Sequence, residues 1–191
     1  NFCITDEKFT RDEVLPSMLV SPQGSFASSY VVQGDLGRVA IKYGHISNVV
    51  SQGKYSRAAF MGIYICMQTP VIKEGIIQVR DTGSYERNPK YLRVQKVNSG
   101  YSDVKIFASD AELVHTYPLS SLINYYRELK LGFKRGFCLS LLKDKVVIGF
   151  TSSNIVRFPM LFKITERRYE EWLEKFRKID ALIVKTLKYI N

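Results

Sequence analysis

The sequence contains few cysteines, few histidines and no long hydrophobic run. Its three cysteines, Cys3, Cys66 and Cys138, are odd in number and widely spaced, which argues against a disulfide framework. Cys66 and Cys138 lie in apolar runs, where free thiols are usually buried, so we expect a reducing compartment. No apolar stretch reaches 18 residues and no signal peptide is visible, so a membrane-spanning helix is not expected. Because the chain begins at Asn1 rather than Met, we expect it to be a fragment of a longer protein.

Motifs for catalysis, metal binding and cofactor binding are also missing. Neither His45 nor His115 has a cysteine at zinc-ligand spacing, so no metal site is predicted. The Gly53-Lys54 pair lacks the preceding glycine and the following Ser or Thr of a phosphate-binding P-loop. No nucleophile elbow and no Gly-x-Gly-x-x-Gly pattern occurs, and the carboxylates are scattered. We therefore predict a protein that is not an enzyme, with no catalytic residue and no cofactor.

What the sequence does contain is typical of a folded domain. Its 191 residues suit one domain with a sizeable core, so residues 1–191 are predicted to form a single domain. Apolar residues make up 46% and charged residues 24%, which excludes a disordered composition. The aromatic content of 13% favours strands and stacking surfaces.

The order of turn-forming and β-forming residues predicts a β core behind an irregular lead-in. Pro16 and Pro22 prevent a continuous helix over residues 1–28, and Ser-Pro-Gln-Gly at 21–24 is typical of a turn. The core is predicted over residues 29–158, where runs of Val, Ile, Tyr and Phe alternate with turn residues. The predicted strands are 29–32, 38–43, 59–67, 75–80, 92–97, 104–107, 137–142, 146–150 and 155–158.

Two helices are predicted beside this core. The first covers residues 120–131, with Ser120 or Ser121 as the N-terminal cap and Gly132 after its end. The second covers residues 165–190 and is capped by Thr165. Its apolar residues recur every three or four positions, so it is a long amphipathic helix. We expect this stripe to pack on its own domain rather than on a membrane or a partner. The stripe consists of Tyr169, Trp172, Leu173, Phe176, Ile179, Ile183, Leu187 and Ile190.

The charge is strongly positive and unevenly distributed. Lys and Arg number 28 against 18 Asp and Glu, which gives a net charge of +10 and attracts polyanions. No acidic residue lies between Asp35 and Glu74. Cations of this kind neutralise phosphates along a nucleic-acid backbone. The candidate nucleic-acid-binding residues are Arg38, Lys42, Lys54, Arg57, Lys130, Lys134, Arg135, Lys143 and Lys145.

Aromatic residues lie among these cations. Exposed aromatic rings stack on unpaired bases, so the combination favours single-stranded nucleic acid bound without sequence readout. The same residues are also compatible with core aromatics and with lysines on a solvated face, and the sequence leaves both interpretations open. The aromatic residues concerned are Tyr43, Tyr55, Tyr125, Tyr126, Phe133 and Phe137.

One pattern is more specific than the charge. An apolar strand at 75–81 ends in Asp81, and about fifty residues later the run 129–140 contains Gly136 followed by Phe-Cys-Leu-Ser. Over residues 58–158 this arrangement resembles the thirty-kilodalton (30K) superfamily of plant-virus movement proteins. The signature of that family is a strand-end aspartate, a long spacer and a glycine. The long C-terminal helix is closer to members from negative-strand RNA viruses.

The resemblance implies a fold and a function. The fold would be mainly β with flanking helices (α+β), a jelly-roll-like antiparallel β sandwich followed by the C-terminal helix. The protein would carry single-stranded RNA or viral nucleoprotein through plasmodesmata. It would contact host membranes and plasmodesmal proteins, and self-associate into oligomers or tubules. In the host cell it would be cytoplasmic, at plasmodesmata and peripherally on the endoplasmic reticulum or plasma membrane.

By the same resemblance, Asp81 and Gly136 are the signature residues. We expect both to fix the fold rather than to contact a ligand: Asp81 by accepting backbone N–H bonds, Gly136 by a conformation or close approach that a Cβ would forbid. The alternative function is a viral matrix-type protein that bridges nucleocapsid and membrane. Such a protein would have no reason to contain the Asp81–Gly136 pair.

Overall fold

A computed structural model describes residues 2–70, 74–81, 94–98, 100–129, 136–151 and 166–190. Within these residues the chain forms nine β-strands, three α-helices and two short 3-10 helices. The strands are β1 (Phe2–Thr5), β2 (Ser25–Leu36), β3 (Val39–Gln52), β4 (Tyr55–Gln68), β5 (Ile76–Asp81), β6 (Gln95–Val97), β7 (Val104–Ala108), β8 (Phe137–Leu142) and β9 (Lys145–Thr151). The α-helices are α1 (Arg11–Val14), α2 (Leu119–Leu129) and α3 (Glu166–Ile190), and the 3-10 helices are Leu15–Ser17 and Glu112–Thr116.

All nine strands belong to one antiparallel sheet with the order β1-β2-β3-β4-β9-β8-β5-β7-β6. The prediction of a mainly antiparallel β fold with flanking helices is therefore confirmed. The jelly-roll-like sandwich stays a prediction, because the described strands form one hydrogen-bonded sheet rather than two separate facing sheets.

Alternation along each strand gives the sheet two buried faces. On β4, Ile63, Ile65 and Met67 face a core that includes residues of α2 and α3. Tyr64 and Cys66 point the other way, into a second core. Because successive strand residues point to opposite faces, a strand that is covered on both sides reads as an almost unbroken apolar run.

The prediction that residues 1–28 form an irregular lead-in is wrong. It contains β1, α1, a 3-10 helix and the start of β2. The Thr10 hydroxyl accepts from the Glu13 N–H while the Glu13 carboxylate accepts from the Thr10 N–H, a capping box that starts α1. Val14 and Met18 are buried in the second core. Pro16 does prevent a long helix, but it fits within the 3-10 helix, so this segment forms a core layer instead of a loop.

Three strands are much longer than predicted. Two-residue turns at Gly37-Arg38 and Gly53-Lys54, each with its glycine at positive φ, join β2 to β3 and β3 to β4. Polar residues such as Ser47 and Asn48 lower the strand signal inside β3, yet its ladder with β4 runs from Ala40↔Gln68 to Gln52↔Tyr55. The predicted strand 155–158 lies outside the described residues.

The helices follow the prediction with one correction. α2 begins at Leu119, and the Pro118 carbonyl accepts from the Ser121 and Leu122 N–H groups, so the two serines lie in its first turn rather than at its cap. α3 is confirmed as a long helix, and the C-terminal half of its stripe is buried in the first core, as expected. Its buried members are Ile179, Ile183 and Leu187, and Leu182, which the predicted stripe did not include, is buried as well. Gly132, Thr165 and the side chains of Tyr169, Trp172 and Phe176 lie outside the described part.

The cysteines behave as the sequence indicates. Cys66 and Cys138 are free thiols, each 2% exposed, whereas Cys3 is exposed on β1. Burial raises the pKa of Cys66 to about 11 and that of Cys138 to about 12, so both stay protonated at neutral pH. Among the described helices, none is both long enough and apolar enough to span a bilayer.

Candidate functional site

The two signature residues are in contact. Asp81 is the last residue of β5, and Gly136 precedes β8, which pairs with β5 up to Arg80↔Cys138. The Asp81 Oδ2 atom accepts hydrogen bonds from the Gly136 N–H at 2.5 Å and from the Phe137 N–H at 3.0 Å. One carboxylate oxygen therefore holds the start of β8 against the end of β5, across 55 positions of sequence.

Gly136 occupies a position where a side chain does not fit. Its φ is +116°, in a region that L-residues rarely adopt. A Cβ atom there would lie 1.5 Å from the Thr151 Oγ1 atom. The Thr151 N–H donates to the Gly136 carbonyl at 2.9 Å, so the glycine also joins the start of β8 to the end of β9.

Aromatic residues of helix α2 and strand β8 pack beside this contact. The Phe137 ring stacks on Tyr126 with centroids 3.8 Å apart and an interplanar angle of 19°. Burial raises the pKa of Tyr126, and the nearby charge of Asp81 raises it further. Asp81, Gly136 and these rings thus form a latch that joins β5, β8, β9 and α2. This geometry agrees with the expected fold-fixing role.

The basic candidates that the structure describes do not form one groove. The sheet has an Asp81 end, where β5 finishes and β8 begins, and a Lys143 end, where the turn Lys143–Asp144 joins β8 to β9. Arg38 lies at the Lys143 end, because Ala40 pairs with Gln68, which in turn pairs with Lys145. Lys54 lies at the opposite end of β3, which at about 3.3 Å per residue is roughly 45 Å away.

Two of the candidates are used inside the molecule. The Lys42 Nζ atom lies 3.5 Å from Glu13 and 3.7 Å from Glu7, and 4.8 Å from the centroid of the Phe9 ring. The Lys145 Nζ atom donates to the Glu13 carbonyl at 3.2 Å. Both lysines hold the N-terminal segment against the sheet, a role that the sequence does not reveal because the carboxylates and the carbonyl they contact are distant in sequence.

Other candidates remain exposed. Arg38, Lys54, Arg57 and Lys143 are exposed in turns or at a strand end. Tyr55 lies between two of these cations and is 81% exposed. Lys130, Lys134 and Arg135 lie outside the described residues.

Most of the aromatics singled out in the sequence belong to the core. Phe137 is buried, and Tyr43, Tyr125 and Tyr126 pack against the first core. Among those that the structure describes, Tyr55 is the one whose ring is exposed. The core interpretation therefore holds for Tyr43, Tyr125, Tyr126 and Phe137, and stacking on a base stays a prediction for Tyr55.

A cleft of about 430 Å³ lies beside α1. Its walls include Glu13 and Asp35 as well as Lys42, so charges of both signs are present and phosphate is not favoured. Within the described part of the chain, no three His, Cys, Asp or Glu side chains come together as metal ligands.

Comparisons with known proteins give little. No family model and no curated protein matches the sequence. Among solved structures, the chain is similar to the crystal structure of the mycobacterial trehalose monomycolate transport factor A, TtfA, with a TM-score of 0.49 and 9% identity over 84% of this chain and 74% of that one. A likeness of this size says nothing about function.

Proposed function

We propose that this chain is the core of a viral cell-to-cell movement protein of the 30K superfamily, a non-enzymatic carrier of single-stranded RNA or ribonucleoprotein through plasmodesmata. The observation that supports the proposal is the hydrogen bond between the carboxylate of Asp81 and the backbone of Gly136. The resemblance picked out these two residues from their places in the sequence, without reference to any contact. This contact gives a physical reason for the signature, because an aspartate and a glycine that are far apart in sequence hydrogen-bond to each other in the fold.

The latch explains what each signature residue would do in such a protein. A strand-end carboxylate supplies a charged acceptor for two backbone N–H groups that begin another strand. Glycine is required where the chain enters β8, since a Cβ would collide with Thr151. A matrix-type protein does not need this device, so the latch favours the movement protein.

The electrostatics are compatible with a carrier. The net charge is +10, and Arg38, Lys54, Arg57 and Lys143 keep their cationic groups exposed. Exposed cations on a firm β scaffold bind the RNA backbone through its phosphates, with an affinity that falls steeply as salt rises. The remaining attributes of the family belong to the same proposal: the jelly-roll-like sandwich, peripheral membrane association, contact with plasmodesmal proteins and self-association.

The test is complementation of movement. The chain is expressed in leaf cells together with a fluorescently tagged plant virus whose own movement protein is deleted, and spread beyond single cells is counted. We expect the wild-type chain and the exposed-site control Asp35→Ala to restore spread, and Asp81→Ala to abolish it. If the wild-type chain accumulates in folded form yet leaves the virus confined to single cells, the proposed function is wrong.

A further inference from the structure

Strands β3 and β4 extend beyond the rest of the sheet as a two-stranded arm. The pairing of β3 with β2 ends at Ser25↔Val49, and the pairing of β4 with β9 ends at Gly62↔Thr151. The β3–β4 ladder continues to Gln52↔Tyr55. Residues 50–57, here called the arm, therefore have no other described strand beside them. At about 3.3 Å per residue, the tip of the arm lies about 10 Å beyond the end of β2 and about 20 Å beyond the end of β9, at the Asp81 end of the sheet.

The root of the arm is held firmly. Asn48, which is fully buried, accepts from the Ser21 N–H at 2.8 Å and donates its Nδ2 group to the Gln23 carbonyl at 3.2 Å and the Ser25 carbonyl at 3.1 Å. Phe60, which pairs with Asn48 across the ladder, is buried in the second core. A buried polar anchor and a buried ring therefore fix the base of the arm to the domain.

The tip of the arm presents an aromatic ring between cations. Tyr55 is 81% exposed, and Lys54 and Arg57 are both exposed. Tyr55 and Arg57 are two positions apart on one strand, so they lie on the same face about 7 Å from each other. Since the sequence has no acidic residue between Asp35 and Glu74, nothing on the arm opposes these charges.

We propose that the arm is a contact site for single-stranded RNA, in which Tyr55 stacks on an unpaired base while Lys54 and Arg57 bind the flanking phosphates. This inference rests on the proposed function and assigns it a location. Stacking on a single exposed ring is sequence-tolerant, which suits a carrier. A membrane contact is less favoured, because the neighbours of Tyr55 on the arm include Ser51 and Ser56 and supply little apolar surface to bury in a bilayer.

The experiment measures binding of a fluorescent oligouridine by anisotropy at several salt concentrations. Tyr55→Ala should weaken binding by roughly 5- to 150-fold, with the slope of log affinity against log salt unchanged. Tyr55→Phe, which keeps the ring, should bind within about twofold of wild type. Lys54→Gln with Arg57→Gln should make the slope shallower by about 1.4, since each phosphate contact contributes about 0.7 on a single strand.

The control is Arg38→Gln, which removes one charge from the matching Gly-cation turn at the other end of β3. In the Arg38→Gln background, the affinities of Tyr55→Ala and Tyr55→Phe for oligouridine should differ by the same factor as without it. All variants should give the wild-type circular dichroism spectrum, since the altered side chains are exposed.

The outcomes separate the two proposals. If the wild-type protein binds oligouridine and Tyr55→Ala binds equally well, the arm is not the contact site, although the proposed function stands. If Tyr55→Ala keeps its RNA affinity but no longer binds phosphatidylserine vesicles that the wild type binds, the arm is a membrane contact and the inference is overturned. If the wild type does not bind oligouridine even at low salt, the inference about the arm is overturned, whereas the proposed function, which includes transport of ribonucleoprotein, is decided by the complementation assay.

Discussion

Replacing Asp81 tests the latch directly. In Asp81→Ala the Gly136 and Phe137 N–H groups lose the carboxylate oxygen that accepts from them at 2.5 and 3.0 Å. Hydrogen bonds to charged groups are each worth about 1.5–3 kcal/mol. Because the site is half-exposed and water can replace part of the loss, we expect the free energy of unfolding to fall by about 2–4 kcal/mol in total. That is a large share of the ~5–15 kcal/mol typical of a domain.

The assay is urea unfolding followed by far-UV circular dichroism, with the slope against urea compared between variants. Asp81→Asn keeps an oxygen in place but loses the charge, so it should lose less stability than Asp81→Ala. Asp35→Ala, at an exposed position, is the matched control and should change stability by less than about 0.5 kcal/mol. An Asp81→Ala protein as stable as the Asp35→Ala control would refute the reasoning, because the two hydrogen bonds would then contribute nothing.

Three further predictions concern the residues around the cores. Gly136→Ala should lower the free energy of unfolding in urea by more than about 3 kcal/mol. Adding Thr151→Ala should restore only part of this free energy, because it relieves the collision with the Cβ atom but the positive φ remains. Lys42→Gln should lower the free energy of unfolding by about 1 kcal/mol, because the Lys42 side chain forms ion pairs with Glu7 and Glu13. For the same reason the affinity for oligouridine, measured by anisotropy, should stay the same. In an Ellman assay of the native protein at pH 8, Cys3 alone should react quickly, because burial raises the pKa of the other two thiols. In guanidinium all three cysteines should react. Rapid reaction of all three thiols in the native protein would contradict the described packing.

The elements that the sequence predicted well carry their signal locally. β8 has the predicted bounds, 137–142, because its run of large apolar residues is buried on both faces and is bounded by turn chemistry. α3 repeats its apolar residues over 25 positions, long enough to separate a helical period from any other. Neither signal depends on knowing what the rest of the chain does.

The elements that the sequence missed depend on distant partners. Asn48 weakens the strand pattern of β3, yet it is buried because residues 21–25 supply its hydrogen-bond partners. The prolines and the Ser-Pro-Gln-Gly pattern of residues 1–28 predict an irregular segment, whereas its contribution to the second core depends on the strands that it covers. The same holds for the candidate nucleic-acid-binding residue Lys42, because the carboxylates that pair with it, Glu7 and Glu13, lie in this N-terminal segment.

Where the exposed cations lie bears on the kind of ligand that the protein suits. Both faces of the sheet are covered within the chain, one by α2 and α3 and the other by the N-terminal segment. Among the candidate cations that the structure describes, Arg38 and Lys54 stay exposed in the turns Gly37-Arg38 and Gly53-Lys54, at opposite ends of one long strand. A small anion would touch only one of these turns, whereas a flexible polyanion can pass from one to the other across roughly 45 Å. If the proposed carrier binds one long single strand at both turns, charge removal at the two turns should weaken binding additively, as independent contacts along one polymer do.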